Sequence, residues 1–329
     1  MGEAKIGYAA ALEQFGPGEI LDLCASAEKH GFSGVMAADH FQPWIPQQGQ
    51  ASYVWNVLGA LGQCTTGDLG PGVTCPTFRH HPAIVAQAAS TLEAMYPGRT
   101  WLGLGSGEAL NEHVFGGYWP EAPERIAMMF EAIEVIQKLF TGEDVKHKGE
   151  YFRMHTTRLW TRAAEPPPIY VATAGPITAR RAGARCDGLI TPGATTEKVA
   201  GVLARFDEGA RRADKDPTAL PKLLQLHLSW APTDEQAMDN AVTEWPNGGM
   251  RFGKQDVRSP YDFAAMAALV RREDFEGRMV ISSDPDAHRQ EIQRFLDLGI
   301  TQVYLHNVGR NQTEWMDVFG REVLPKLTA

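Results

Sequence analysis

One pattern constrains this chain more than any other. Short apolar runs alternate with longer stretches whose apolar residues recur at spacings of three and four. The runs predict strands over Lys5–Ala9, Gly34–Ala38, Gly70–Thr74, Trp101–Leu104, Ile169–Thr173, Gly188–Thr191, Leu224–Trp230 and Gln302–His306. The intervening periodicity predicts helices over Gly18–His30, Pro82–Met95, Pro123–Phe140, Pro176–Ala184, Glu197–Ala213 and Asp286–Leu298. Pro17, Pro82, Pro123 and Pro176 open helices, where a missing N–H costs nothing. Strands separated by helices pair in parallel, because each crossover helix returns the chain to the same sheet end. A closed barrel and an open doubly wound sheet both satisfy that rule. Eight strands without an interdomain linker favour the barrel. The expected fold is α/β, a (β/α)8 TIM barrel, with residues 1–329 forming a single domain.

Two places break the alternation. Residues Val145–Met154 read as a hairpin inserted after strand 4. Residues 244–280 are too long for a connector and form an insertion after strand 7, the kind of segment that covers or shapes a site.

The bulk properties exclude several classes. A net charge of −9 and the lack of any basic run argue against nucleic-acid binding, which needs a basic face. No apolar stretch approaches the ~20 residues of a membrane span. The N-terminal MGEAKIGYAA has no signal-peptide form. Cys24, Cys64, Cys75 and Cys186 are scattered without metal-like spacing, as expected of reduced thiols in a cytoplasmic protein.

Catalytic groups of a barrel sit where strands run into the following loops. Here the second strand ends in Asp39-His40, with Trp44 just beyond. The third ends in Thr74-Cys75-Pro76, the fourth in Gly105-Ser106-Gly107-Glu108 followed by Asn111, and the fifth in Thr173-Ala174-Gly175-Pro176. Polar residues and glycines thus collect at one rim. Gly103–Ala109 (GLGSGEA) lacks the spacing and the first-strand position of a dinucleotide fingerprint. Bare backbone there admits a flat ligand or a phosphate, and the helix beginning at Pro176 offers free N–H groups to an anion. His40 is suited to taking a proton near neutral pH, and Glu108 on another strand to handling a second. Asp39 and His40 are neighbours whose side chains diverge along a strand, so Asp39 reads as a cofactor contact. No metal-ligand cluster, nucleophile elbow or P-loop is present in the sequence, so an organic redox cofactor is expected to carry the hard chemistry.

The stretches KIGYAAALEQF (5–15), ADHFQPW (38–44), CPTFRHHPAIVAQA (75–88), YPGRTWLGLGSGEALNE (96–112) and ISSDPD (281–286) resemble the luciferase-like superfamily of flavin and deazaflavin enzymes. They are most similar to its branch of coenzyme F420-dependent glucose-6-phosphate and secondary alcohol dehydrogenases. The resemblance implies a homodimeric barrel with coenzyme F420 at its mouth. It implies that Asp39, Gly72, Val73, Cys75, Ser106, Gly107, Asn111, Ala174, Gly175, Ile177 and Thr178 hold the cofactor. Gly72-Val73 would form a cis peptide behind the ring. His40 would be the base on a substrate hydroxyl, Glu108 would manage the proton at the reduced ring, and Trp44 would pack at the reacting centre. The substrate would be a small alcohol, or a carbonyl in reverse. Sugar-phosphate relatives hold phosphate with two lysines and an arginine. Here Arg278 keeps the arginine, the first lysine position falls near Thr195 rather than Lys198, and Tyr261–Val270 supplies no second lysine. Glucose 6-phosphate is therefore not expected, and Phe263, Met266 and Leu269 point to a less polar alcohol. A sugar-6-phosphate dehydrogenase and an FMN-dependent monooxygenase are the alternatives.

Overall fold

The computed structural model describes residues 5–328. Strands β1 (Lys5–Ala10), β2 (Gly34–Ala37), β3 (Asp68–Pro71) and β4 (Leu102–Leu104) alternate with helices α1 (Pro17–Lys29), α2 (Val54–Cys64) and α3 (Pro82–Met95). The short α4 (Ala109–Glu112) and long α5 (Ala122–Phe140) follow β4. The expected hairpin is β5 (Val145–Lys148) with β6 (Arg153–Thr157), antiparallel and fastened to α5 through Glu131, which accepts from the N–H groups of Glu150, Tyr151 and Phe152. The barrel resumes with β7 (Ile169–Ala172), α6 (Pro176–Arg185), β8 (Gly188–Pro192), α7 (Thr196–Arg212) and β9 (Lys222–Ser229). After α8 (Asp234–Glu244), the second insertion carries α9 (Pro260–Ala267) and the two-residue β10 (Val280–Ile281); α10 (Pro285–Leu296), β11 (Gln302–Asn307) and α11 (Gln312–Glu322) complete the chain.

Hydrogen-bonded neighbours run β3-β2-β1-β11-β9-β8-β7-β4, all parallel. Single bridges Leu69↔Thr100 and Thr74↔Leu104 join the two ends, so the eight strands close into the expected barrel. The wall forks near its mouth: β8 pairs with the first residues of β9, Lys222–Gln225, and β10 with the last, Leu228–Ser229.

The proline-opened helices form where expected. Helices α2, α8, α9 and α11 are additions to the expected set. VWNVLGALGQC in α2 is apolar almost all round, which hides the three-and-four spacing, and DEQAMDNAVTE in α8 has only a thin apolar stripe.

The barrel interior is packed below and open above. Tyr304, Trp101 and Tyr170 fill the lower part with Ala9, Met36, Ile190 and Leu223. Glycines on the strands make room for the rings. A Cβ on Gly7 would lie 2.4 Å from Tyr304, one on Gly70 2.2 Å from Trp101, and one on Gly188 2.5 Å from Tyr170. Asp68 at the base accepts from Tyr304 Oη, from Gln302 Nε2 at 2.7 Å and from Trp101 Nε1 at 3.3 Å. This packed floor closes the middle of the barrel and leaves the C-terminal mouth open above it.

Gly70→Ala drives a methyl into the indole stacked between Tyr170 and Tyr304. We expect a loss of about 1–3 kcal/mol from overpacking, read as a lower denaturation midpoint at unchanged slope.

Candidate active site at the barrel mouth

The β1 and β2 strands are paired, Tyr8↔Val35 through Ala10↔Ala37, and their loops emerge side by side. This adjacency sets Glu13 against His40: Glu13 Oε1 lies 3.3 Å from His40 Nδ1. The pair is within ion-pair reach but not aligned as a hydrogen bond. Neither His40 Nδ1 nor Glu13 Oε2 has another protein partner, though both atoms are buried. The His40 ring packs on Trp44 with centroids 5.0 Å apart, and Trp44 packs edge-on against Phe263 at 5.2 Å and Trp245 at 6.1 Å.

Asn111 fixes the loop that carries His40. Its Oδ1 accepts from the N–H of Phe41 at 2.9 Å and of Gln42 at 3.3 Å, and Gln42 Nε2 donates to the carbonyl of Leu110. Asp39 is 3% exposed. It accepts from Thr74 Oγ1 at 2.7 Å and pairs with Arg79 at 3.0 Å; Arg79 also pairs with Glu112 at 2.9 Å. This buried acid–arginine–acid triad ties the ends of β2 and β3 to α4. Asp39 therefore serves the scaffold whatever contact it makes with a ligand.

Glu108 sits at the N-cap of α4 and is only partly exposed. Burial raises its pKa from the ordinary 4.5; the charges of His40 and Lys254 pull it down, and those of Glu13 and Glu112 push it up. His40 and Glu108 thus share one electrostatic neighbourhood. Lys254 belongs to the second insertion. Its Nζ donates to the carbonyl of Asn247 at 2.7 Å, and the adjacent Gln255 carbonyl accepts from the Ala109 N–H at 2.7 Å, which seats the insertion beside Glu108. Burial lowers the Lys254 pKa, Glu108 opposes that, and the Arg278 guanidinium adds to it. Lys254 is thus within electrostatic reach of both Glu108 and Arg278; it lies seven residues before Tyr261, outside the Tyr261–Val270 stretch that supplies no lysine. Arg278 itself is exposed and donates to the carbonyl of Met250 at 2.7 Å. Phe263 is buried under Trp44, Met266 is half-buried beside it, and Leu269 is 79% exposed. Only the first two of that trio face the site.

The residues expected to hold a cofactor line the remaining rim. The Gly72-Val73 peptide is cis, as the resemblance implied. A Cβ on Gly105 would lie 2.7 Å from Val73 Cγ2, and one on Gly107 (φ 82°) 2.7 Å from Cys75 Sγ. The missing side chains at Gly105 and Gly107 thus let Val73 and Cys75 pack directly on this strand-end backbone, which keeps the rim low. Cys75 is buried, bonded to Thr77 Oγ1 at 3.0 Å, and its thiol pKa is raised by burial, so it is a packing residue and not a nucleophile. Ser106 and Gly107 are partly exposed above it. Gly175 caps α6 without a side-chain bond, which leaves the first-turn N–H groups of Ile177 and Thr178 for a ligand. Ile177 is exposed and Thr178 buried. That helix end opens on a cavity of about 580 Å³ lined by Ala174, Pro176, Thr191 and Lys198, among others. A low rim at Gly105–Gly107, an uncapped helix end and the cavity together fit a ring with an anionic tail. Among the described residues no group of three or more His, Cys, Asp or Glu could hold a metal ion. No described helix is long and apolar enough to cross a membrane.

Sequence reasoning missed Glu13, Gln14, Lys254 and His227. Glu13 and Gln14 sit in a loop that a one-dimensional reading leaves featureless. Lys254 lies in an insertion without periodicity. His227 had a signal, because a histidine alternating with leucines (LQLHLSW) must lie on the polar face of its strand.

A barrel with an imidazole, a carboxyl and an uncapped helix end at its mouth has the groups a proton-handling redox enzyme with an organic cofactor needs. The chain belongs to the luciferase-like monooxygenase family, whose model matches residues 3–302. It is 37% identical to the F420-dependent glucose-6-phosphate dehydrogenase of Microbacterium testaceum, over 98% of this chain and 97% of that protein. It is 38% identical to that of Intrasporangium calvum, over 98% of each. Among solved structures it superposes on an F420-dependent secondary alcohol dehydrogenase in complex with an F420-acetone adduct, with a TM-score of 0.94, 33% identity and full coverage of both chains.

The raised Glu108 pKa makes a stability prediction. Below the ordinary 4.5 this carboxyl is neutral in both folded and unfolded chains; as pH rises through the higher folded value, ionisation costs the folded state. Glu108→Gln should therefore melt above the parent protein at about pH 8, and the gap should close toward about pH 4 in paired thermal scans.

Proposed function

We propose that this chain is a coenzyme F420-dependent oxidoreductase that moves hydride between an alcohol carbon and the deazaflavin. The observation that carries this reading is the placement of His40, backed by Glu13, in the same electrostatic neighbourhood as Glu108. When bound, the coenzyme supplies a two-electron hydride acceptor. His40 takes the substrate hydroxyl proton at its Nε2, and Glu13 stabilises the imidazolium through Nδ1. Glu108, kept neutral to higher pH by burial, holds a proton on its carboxyl for delivery to the reduced ring. Trp44 closes the reacting centre against water. Val73, Ser106, Gly107, Asn111 and the α6 end with Ala174, Gly175, Ile177 and Thr178 hold the coenzyme; Asp39, Gly72 and Cys75 shape its floor.

Within that class we read the chain as an alcohol dehydrogenase acting on a non-phosphorylated substrate. Support comes from the apolar wall of Trp44, Phe263 and Met266, and from the likeness to the secondary alcohol enzyme. A second reading, a sugar-6-phosphate dehydrogenase, is favoured by Lys254, within electrostatic reach of Glu108 and Arg278, and by the activity for which the relatives are named. A cytoplasmic homodimer belongs to the proposal on the family resemblance; sedimentation tests the dimer.

Loss of the oxidised coenzyme's visible absorbance on adding propan-2-ol, against glucose 6-phosphate, separates the two readings. We expect the alcohol to be the better substrate. Dominant turnover of glucose 6-phosphate, with a KM raised about tenfold or more by Lys254→Ala, would establish the second. His40→Ala should lower kcat by about 10²–10⁴-fold while coenzyme binding, followed by fluorescence, persists. Normal turnover by that variant would remove His40 as the base. Oxygen uptake with reduced FMN and no coenzyme F420 reduction would point to a monooxygenase.

A further inference from the structure

Above the packed floor, β9 and β11 present two imidazoles to the barrel interior. Their strands are in register, His306↔His227, one step mouthward of Tyr304↔Gln225. The two Nδ1 atoms are 2.8 Å apart, and His306 Nε2 is 3.1 Å from Gln14 Oε1. The direction of this chain can be deduced. Gln14 Nε2 donates to the Val308 carbonyl at 2.9 Å and faces Glu244 Oε2 at 3.3 Å, both pure acceptors, so Gln14 Oε1 is the atom turned to His306. His306 Nε2 must then carry the hydrogen. Burial strongly favours the neutral ring for both histidines, lowering His227 to about 4 and His306 well below its ordinary value, and the Lys254 charge acts on His227 in the same sense. A neutral His306 protonated at Nε2 offers only a lone pair at Nδ1, so His227 donates its Nδ1–H. The remaining nitrogen, His227 Nε2, is a bare acceptor.

That acceptor has no protein hydrogen bond among the described residues, and it is not a fully buried atom. The His227 ring is half-buried and lies against Trp245 at 4.8 Å; Trp245 meets Trp44, which covers His40. A half-open imidazole acceptor with a locked tautomer, on the wall that leads to the base, can accept a hydrogen bond from a substrate hydroxyl.

We propose that His227 Nε2 is a specificity-determining acceptor that selects alcohols bearing a second hydroxyl, so that the substrate class is a diol or polyol oxidised at the hydroxyl on His40. His306 and Gln14 are positioning residues that fix the His227 tautomer. The inference rests on the alcohol-oxidising reading above and narrows it.

The test compares pentan-2-ol with pentane-2,4-diol and hexan-2-ol with hexane-2,5-diol in coenzyme F420 reduction by the parent protein. We expect at least one diol to exceed its matching monohydric alcohol in kcat/KM by about tenfold or more, because an unmatched polar group in the site is left unpaired by the simpler substrate. His227→Phe should collapse that ratio, mainly through KM, and His227→Asn, which keeps an acceptor, should restore part of it. Coenzyme binding by each variant confirms that it folds. Equal ratios in the parent and His227→Phe would overturn the proposal, as would no diol preference at either spacing. A protein that reduces the coenzyme with no alcohol would defeat the functional reading instead. For that case ¹⁵N-histidine NMR of the coenzyme-loaded protein tests the inference independently of turnover. His227 should appear as the Nδ1–H tautomer, and its Nε2 resonance should move on titration with pentane-2,4-diol but not pentan-2-ol; a protonated Nε2, or one that does not move, overturns the inference.

Discussion

Glu13 beneath His40, a carboxylate and an imidazole nitrogen held 3.3 Å apart in a buried setting, is the contact on which the proposed chemistry of this mouth depends. An imidazole with one nitrogen facing an acid has its other nitrogen free to accept, and the acid stabilises the charge it then acquires. The pair is made by topology: parallel neighbours β1 and β2 end at the same rim, so groups a few residues past each strand meet. Asn111 completes the arrangement from the fourth strand by holding the backbone just after His40.

The acids of this rim divide by whether their partners are already present. Asp39 and Glu112 share the Arg79 guanidinium, and removing Arg79 would leave two buried acids without their cation. Glu13 and Glu108 have no such arginine. Glu13 keeps one oxygen without a partner, and Glu108 responds to His40 and Lys254 across the cup. Filled charges build the scaffold, and unfilled ones wait for reacting groups. Perturbed carboxyls are common in structural networks too, so the perturbation matters here because it falls in the open cup and not in the wall.

Much of the barrel is legible in the sequence because alternation of strand and helix leaves a strong one-dimensional trace. The rim positions of His40, Trp44 and Glu108 follow from where the strands stop. What stays illegible is whatever depends on two distant segments meeting. Glu13 reads as a loop acid until β1 is set beside β2. Lys254 reads as a solvated lysine until Gln255 is seen to bond the Ala109 N–H. The interior polarity of β9 is hidden for another reason. In LLQLHLS Leu224, Leu226 and Leu228 face the helices, while Leu223 joins the barrel floor and Gln225 and His227 follow it on the inward face, the reverse of the usual expectation that apolar means inward. A barrel has two insides, and only its lower floor is dry.

The cup is consequently mixed in character. Trp44, Phe263 and Met266 supply apolar surface, and Lys254 and the half-open face of His227 supply polar groups near it. A purely apolar alcohol would satisfy the apolar surface and leave the polar groups unpaired, whereas a phosphate dianion would meet a cation but also the acids Glu108 and Glu13. The substrate that offends neither has an apolar carbon frame at the reacting carbon and neutral hydroxyls beyond it. A hydroxyl donates to the His227 acceptor and accepts from Lys254 without adding charge to a cup whose acids must remain free to move protons. Charge balance and hydrogen-bond direction therefore select the same class of molecule, though they rest on different residues.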